Sequence, residues 1–151
     1  MDDAVREIGE GLRALADPAK AGPMEKYMKH RQPFLGVQAP RVIQLARRAA
    51  RRFPPADLAQ FERIVRELWR GEYREERYAA MRMAALWPQA SMAAALPLYE
   101  WMIVSAGWWD LVDFVAAQLV GRLIRARPEL KARVYRWIDS DQLWLRRTAL
   151  I

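Results

Sequence analysis

Apolar residues recur at three- and four-residue intervals along almost the whole chain, and proline or glycine interrupts each run after a few turns. Val5, Ile8, Leu12 and Leu15 form one such stripe, Val42, Leu45, Ala46 and Ala49 a second, and Leu58, Phe61, Val65 and Leu68 a third. That spacing lines one face of an α-helix. No comparable run alternates with the period of two that a half-buried strand needs. Breaks fall at Asp17-Pro18, Gly22-Pro23, Pro33, Pro40, Pro54-Pro55, Gly71, Pro88, Pro97, Gly107, Pro128 and Asp139-Ser140. Several put proline in a first helical turn, where its missing N–H does no harm. These signals predict an all-α chain of about eight or nine short helices, with Asp57, Ser91 and Ser140 as candidate N-caps.

Short helices joined by tight turns pair as antiparallel hairpins. The predicted pairs span 57–70 with 74–87, 97–106 with 108–126, and 128–138 with 141–151. Stacked, they make an α-solenoid of degenerate HEAT-like repeats with a concave groove, over a single domain of residues 1–151. No clean repeat is visible, and a plain helical bundle fits nearly as well. With 53% hydrophobic residues the chain can bury a core, yet no stretch reaches the ~18 uninterrupted apolar residues of a membrane span. It stops at "LWLRRTALI", inside an amphipathic helix without a glycine cap. Solenoids normally close on a polar outer face, so exposed apolar surface and self-association are expected at this end.

Composition then narrows the chemistry. The absence of cysteine excludes a disulfide framework, a thiolate nucleophile and a zinc knuckle. The single histidine, His30, excludes His-dyad and His-triad catalysis. Any reaction must rest on carboxylates, arginines or aromatics, and neither a metal nor a cofactor is expected. The start "MDDAVREIGEG" is too acidic and polar for a signal peptide, which leaves the cytoplasm as the default compartment. A net charge of +7 and a pI near 10.2 favour a polyanionic partner such as nucleic acid.

Chemistry-bearing residues gather in four places. In "SAGWWDLVDFV", Trp109 and Asp113 lie four residues apart and so project from one helix face. An indole face beside a carboxylate suits a ligand that is cationic or becomes so. The same residues also suit plain packing, with the tryptophans in the core and the aspartates at the helix start or in solvent. Asp110 reads as a first-turn acid. In "RVIQLARRAARR", Arg41, Arg48 and Arg52 fall on one stripe that can follow a phosphate backbone or form a solvated face. "PMEKYMKHRQPFLGVQAP" is a helix and then a loop, mixing Tyr27, Lys26, Lys29, His30, Arg31 and Gln38 with apolar anchors, a combination that suits a nucleic-acid groove. Arg146 and Arg147 point about 100° apart on the last helix, so at most one lines a groove. Glu72, Glu75 and Glu76 are expected to pair with arginines at the surface.

"YMK" followed by "FLGVQAP", then "IVRELW", "WWDLVD" and "WIDSDQLWLRRTAL" resembles the AlkD-like DNA alkylation repair glycosylases, built of HEAT-like repeats. The match runs in order over nearly the whole chain, with "WWDLVD" its most specific piece. The resemblance implies excision of N3- and N7-alkylated purines from double-stranded DNA by cleavage of the N-glycosidic bond. It implies Trp109, Asp113 and Arg147 as residues of the active cleft and Tyr27 and Gln38 as further cleft positions. With the basic stripe, this gives Tyr27, Lys29, Gln38, Arg41, Arg48 and Arg52 as candidate DNA contacts. The family continues past the position matching Ile151, with another tryptophan of the cleft and more basic contacts, so weak DNA binding and loss of cleavage are expected for a chain ending there. The rival expectation is a non-catalytic helical-repeat scaffold binding protein or undamaged nucleic acid.

Overall fold

The helix breaks sit where caps and prolines place them. A computed structural model describes residues 1–151, which are helical throughout without a strand. The chain divides into two compact units, Met1–Trp87 and Pro88–Ile151, and no helix is long and apolar enough to cross a membrane.

The first unit holds α1 (Asp3–Ala14), α2 (Pro18–Tyr27), α3 (Ala39–Arg52), α4 (Leu58–Trp69) and α5 (Arg74–Leu86). Asp57 caps α4 as expected, its carboxylate accepting the Gln60 N–H at 2.8 Å. Asp17 does the same for α2 through Ala19 N–H, at 3.0 Å, a cap concealed in what reads as a simple Asp-Pro break. Helices α3 and α5 pack on each other, flanked by α1 and α4. Their facing positions are alanines, with Ala46, Ala49, Ala79, Ala80 and Ala84 all buried, so the backbones can approach closely. Ile8, Leu12, Phe61, Ile64, Val65 and Leu68 fill the space on either side. Trp87 closes the unit, its indole N–H donating to Ala50 C=O at 3.1 Å and its ring standing edge-on to Phe61.

The α5 acids do not lie at the surface as expected. Glu75 is fully buried and Glu76 nearly so, as is Arg74. The Glu75 carboxylate accepts the N–H groups of Leu35, Gly36 and Val37 at 3.0, 2.8 and 2.9 Å. Glu76 turns back to the Tyr73 N–H at 3.2 Å and lies 3.8 Å from Arg13. Only Glu72 stays outside. The physical reason is the loop before α3. It buries Phe34 and Val37 without belonging to a helix, so its N–H groups need acceptors brought from elsewhere.

The second unit holds α6 (Leu96–Ala106), α7 (Trp109–Phe114), α8 (Gly121–Ala126), α9 (Lys131–Tyr135) and α10 (Leu143–Leu150). Ser91 is not a helix cap here. It ends a 3-10 turn, Pro88–Ser91, and α6 begins five residues later. Gly107, left-handed at φ 68°, ends α6 as a C-terminal glycine should. The predicted helix 108–126 exists as α7, a π-helical stretch Val115–Val120, and α8 in one run. The sequence explains the π turns. Buried pairs Leu111/Val112, Val115/Ala116 and Leu119/Val120 repeat strictly every four residues, which in an α-helix drifts about 40° per step. Wider i→i+5 turns bring the pairs back into line.

Tyr99 lies at the centre of this unit with no exposed surface. Its hydroxyl donates to Ala90 C=O at 2.7 Å, and burial pushes its ionisation above the ordinary tyrosine range. The folded protein therefore holds this proton more tightly than the unfolded chain, and the associated stability is present below the ordinary range and lost as pH rises above it. Between about pH 9 and about pH 11 the denaturant midpoint should fall, and Tyr99→Phe should flatten that fall while costing about 1 kcal/mol at neutral pH for the lost hydrogen bond. Equal alkaline slopes for the two proteins would exclude Tyr99 as the source.

Candidate functional site

In the second unit, Trp108 is the extended residue before α7, Trp109 opens the helix, and Asp110 takes the first-turn position. Leu111 and Val112 are buried, which turns the opposite side outward. Trp109 keeps 40% of its surface exposed, and Asp113 stands one turn along on the same face.

Helix α10 packs against α6 and α7, and the Trp108 and Trp144 rings meet edge to face at 6.2 Å. That contact pins the start of α10 beside the start of α7. The Ser140 hydroxyl accepts the Gln142 N–H just before the helix, at 3.1 Å, so Ser140 does act at this boundary although Gln142 is the capping residue. The two arginines then diverge as their spacing predicts. Arg146 folds back, Nη1 donating to Ser140 C=O at 2.7 Å. Arg147 reaches α7, donating from Nε to Asp113 Oδ1 at 2.7 Å and from Nη2 to Oδ2 at 2.8 Å.

Both oxygens of Asp113 are thus held by one planar fork. The side chains remain 45% exposed for Arg147 and 38% for Asp113, so solvent screens the pair and its net worth to folding is about 0–1 kcal/mol. What it does supply is orientation. The carboxylate has about four lone-pair directions and two are occupied, leaving two for a ligand. The hydrogen bonds to Asp113, and then its charge, hold the Arg147 guanidinium above its ordinary range, so this cation stays charged and in place.

In the first unit, Tyr27 ends α2 and is 70% exposed, on the rim of an apolar hollow of about 390 Å³ lined by Met24, Met28, Phe34, Val37 and Tyr78. Lys29 and His30 are both left-handed, at φ 59° and 54°, and form the exposed turn after it. Gln38 precedes α3 with its side chain exposed and making no cap hydrogen bond. Arg41, Arg48 and Arg52 are exposed along α3, but the stripe is not uniform. Arg52 pairs with Glu7 of α1, and Arg48 shares a cleft with Asp3, Arg6, Glu7 and Glu10. Burial, and next the like charge of Arg47 on α3, hold the Arg82 guanidinium of α5 below the ordinary range.

The sequence pattern of a family described as "DNA alkylation repair enzyme" matches residues 8–151. Among solved structures, one described as a "Predicted DNA alkylation repair enzyme from Enterococcus faecalis" superposes with a TM-score of 0.75 at 22% identity, covering 89% of this chain and 63% of that one. This likeness shows the fold, an arrangement of packed helical pairs, and this chain spans less than two thirds of that protein's length. Comparison with curated proteins returns no match.

Proposed function

The chain belongs to the DNA alkylation repair enzyme family, and on that premise we propose a DNA glycosylase that hydrolyses the N-glycosidic bond of N3- and N7-alkylated purines in duplex DNA. The observation that carries this reading is the solvent-open Asp113, held through both oxygens by Arg147 and one helical turn from the exposed face of Trp109.

An N-alkylated purine already carries positive charge, so it departs as a neutral base when the C1′–N bond breaks, and no general acid is needed. Positive charge moves to the deoxyribose as an oxocarbenium-like state. Asp113 faces that charge, stabilising it and orienting the water that adds at C1′, whose proton it accepts. Trp109 offers its π-face to the same sugar. Arg147 acts as a positioning residue, keeping the carboxylate from swinging away. Tyr27, Lys29, Gln38, Arg41, Arg48 and Arg52 serve as contacts to the duplex, with Arg52 exchanging Glu7 for phosphate. The same reading places the protein in the cytoplasm with the chromosomal DNA.

The test is release of free 7-methylguanine or 3-methyladenine from methylated duplex DNA by the full-length protein, read by mass spectrometry. No release above the spontaneous rate, with duplex binding intact, would favour the scaffold reading instead.

The apolar edge of the second unit bears on the oligomeric state. Leu143 and Leu150 lie seven residues apart on α10 and are well exposed, as are Tyr135 and Ile138 before it. We propose self-association through this edge. Sedimentation should show dimer growing with concentration, and Leu143→Glu with Leu150→Glu should restore monomer. A clean monomer at high concentration would exclude it.

A further inference from the structure

Four consecutive backbone N–H groups in the loop between α2 and α3 are all taken by two carboxylates. Glu25 accepts from Phe34 at 2.9 Å, and the fully buried Glu75 accepts from Leu35, Gly36 and Val37. The loop's carbonyls are tied as well. Leu35 C=O accepts from Asp17 N–H and Pro33 C=O from Arg74 N–H, each at 2.9 Å. Gln32 adds two donations, to Gly71 C=O at 3.0 Å and Glu72 C=O at 3.1 Å. Gly36, at φ 91°, makes the turn that lets three successive N–H groups converge on one carboxylate.

Two of the three candidate DNA contacts of this region, Tyr27 and Gln38, sit at the edges of that clamp. Tyr27 follows Glu25 by two residues on α2. Gln38 follows Val37, the last clamped donor, and its exposed side chain forms no cap hydrogen bond of its own. The backbone therefore sets where Gln38 projects, and it is held from both sides: Glu75 takes the Val37 N–H just before it, and the Arg41 and Val42 N–H groups of α3 donate to Gln38 C=O at 3.0 and 3.2 Å.

We propose that Glu75, assisted by Glu25, is a positioning residue for DNA binding: it holds the 34–37 loop so that Gln38 and Tyr27 meet the duplex pre-arranged. This rests on the reading of Gln38 as a DNA contact. A prearranged loop loses less freedom when it binds, so releasing the clamp should weaken affinity without removing any group that touches DNA.

A double-mutant cycle separates positioning from general stability. Glu75→Gln sets an amide N–H₂ among three backbone donors and breaks the clamp. Affinity for an undamaged duplex, read by fluorescence anisotropy at fixed salt below every variant's unfolding temperature, should fall about fivefold for Gln38→Ala and for Glu75→Gln alike. The double variant should bind no worse than the weaker single one, although its unfolding temperature drops as far as that of Glu75→Gln. Should Glu75→Gln fail to fold, Glu25→Ala, which removes the acceptor of the Phe34 N–H alone, takes its place in the cycle. Losses that multiply in the double variant, or parent-like affinity in a folded clamp variant, would overturn the proposal. Parent-like affinity for Gln38→Ala alone would instead remove Gln38 from the DNA contacts and the proposal with it, leaving the base-release test to judge the glycosylase reading.

Discussion

Replacing Asp113 by asparagine in the full-length protein is expected to cut release of 7-methylguanine by about 100-fold or more while duplex affinity stays within about twofold. The substitution keeps shape and removes charge. The new amide can still accept one hydrogen bond from Arg147 through its oxygen, but its N–H₂ then opposes the second arm of the fork. The carboxylate that faces a developing oxocarbenium ion is gone, and the attacking water has lost its proton acceptor. Folding should hardly register the change, because a pair this exposed contributes about 1 kcal/mol at most. A large loss of rate beside a small shift in unfolding temperature is therefore the signature of an acting carboxylate. Arg147→Lys should fall between parent and Asp113→Asn, since a single ammonium keeps the charge and loses the two-point grip. Equal release by Asp113→Asn and parent would defeat the assignment and leave the helical scaffold as the better account.

Several features of this site were legible in the sequence. Four-residue spacing put Trp109 and Asp113 on one face, and the 100° step between neighbours required Arg146 and Arg147 to part, as they do toward Ser140 and Asp113. Such inferences succeed because they concern residues on one helix, where geometry is set by the backbone alone. The misreadings concern partners far apart in sequence. Glu75 reads as a surface acid because the N–H groups that draw it inward lie 38 to 40 residues earlier, in a loop with no periodicity to betray its burial. The Glu7 partner of Arg52 was hidden for the same reason, 45 residues away. The π stretch was present in the strict four-residue repeat from Leu111 to Val120, a signal that three-or-four counting blurs. Ser91 failed as a cap because a hydroxyl before an apolar run only permits a helix start, and the 3-10 turns around it postpone that start to Leu96.

Gly36→Ala is expected to destabilise the first unit by about 4 kcal/mol, the largest effect at any of the chain's glycines. Two costs combine. The residue is left-handed at φ 91°, where an L side chain is strained by about 1–3 kcal/mol. A Cβ there would also stand 2.0 Å from Asp17 carbonyl oxygen and 2.9 Å from its carbon. Asp17 cannot step aside cheaply, since that carbonyl accepts from Lys20 and Ala21 at the start of α2 while its N–H donates to Leu35. Relief must unseat either the first turn of α2 or the loop, and moving the loop withdraws donors from the buried Glu75, whose desolvation is then uncompensated. Gly9→Ala supplies the contrast. Gly9 lies inside α1, and the nearest atom to an added Cβ is the half-exposed Arg13 Nη1 at 3.2 Å, which must give up some of its hydrogen bond to Gly9 C=O, so alanine there should stabilise by about 0.5 kcal/mol through helix propensity. Urea unfolding followed by circular dichroism should move the two midpoints in opposite directions at similar slope. If Gly36→Ala unfolded at the parental midpoint, the loop could not be held against Asp17 and Glu75 in the manner described, and the support it gives to Gln38 would go with it.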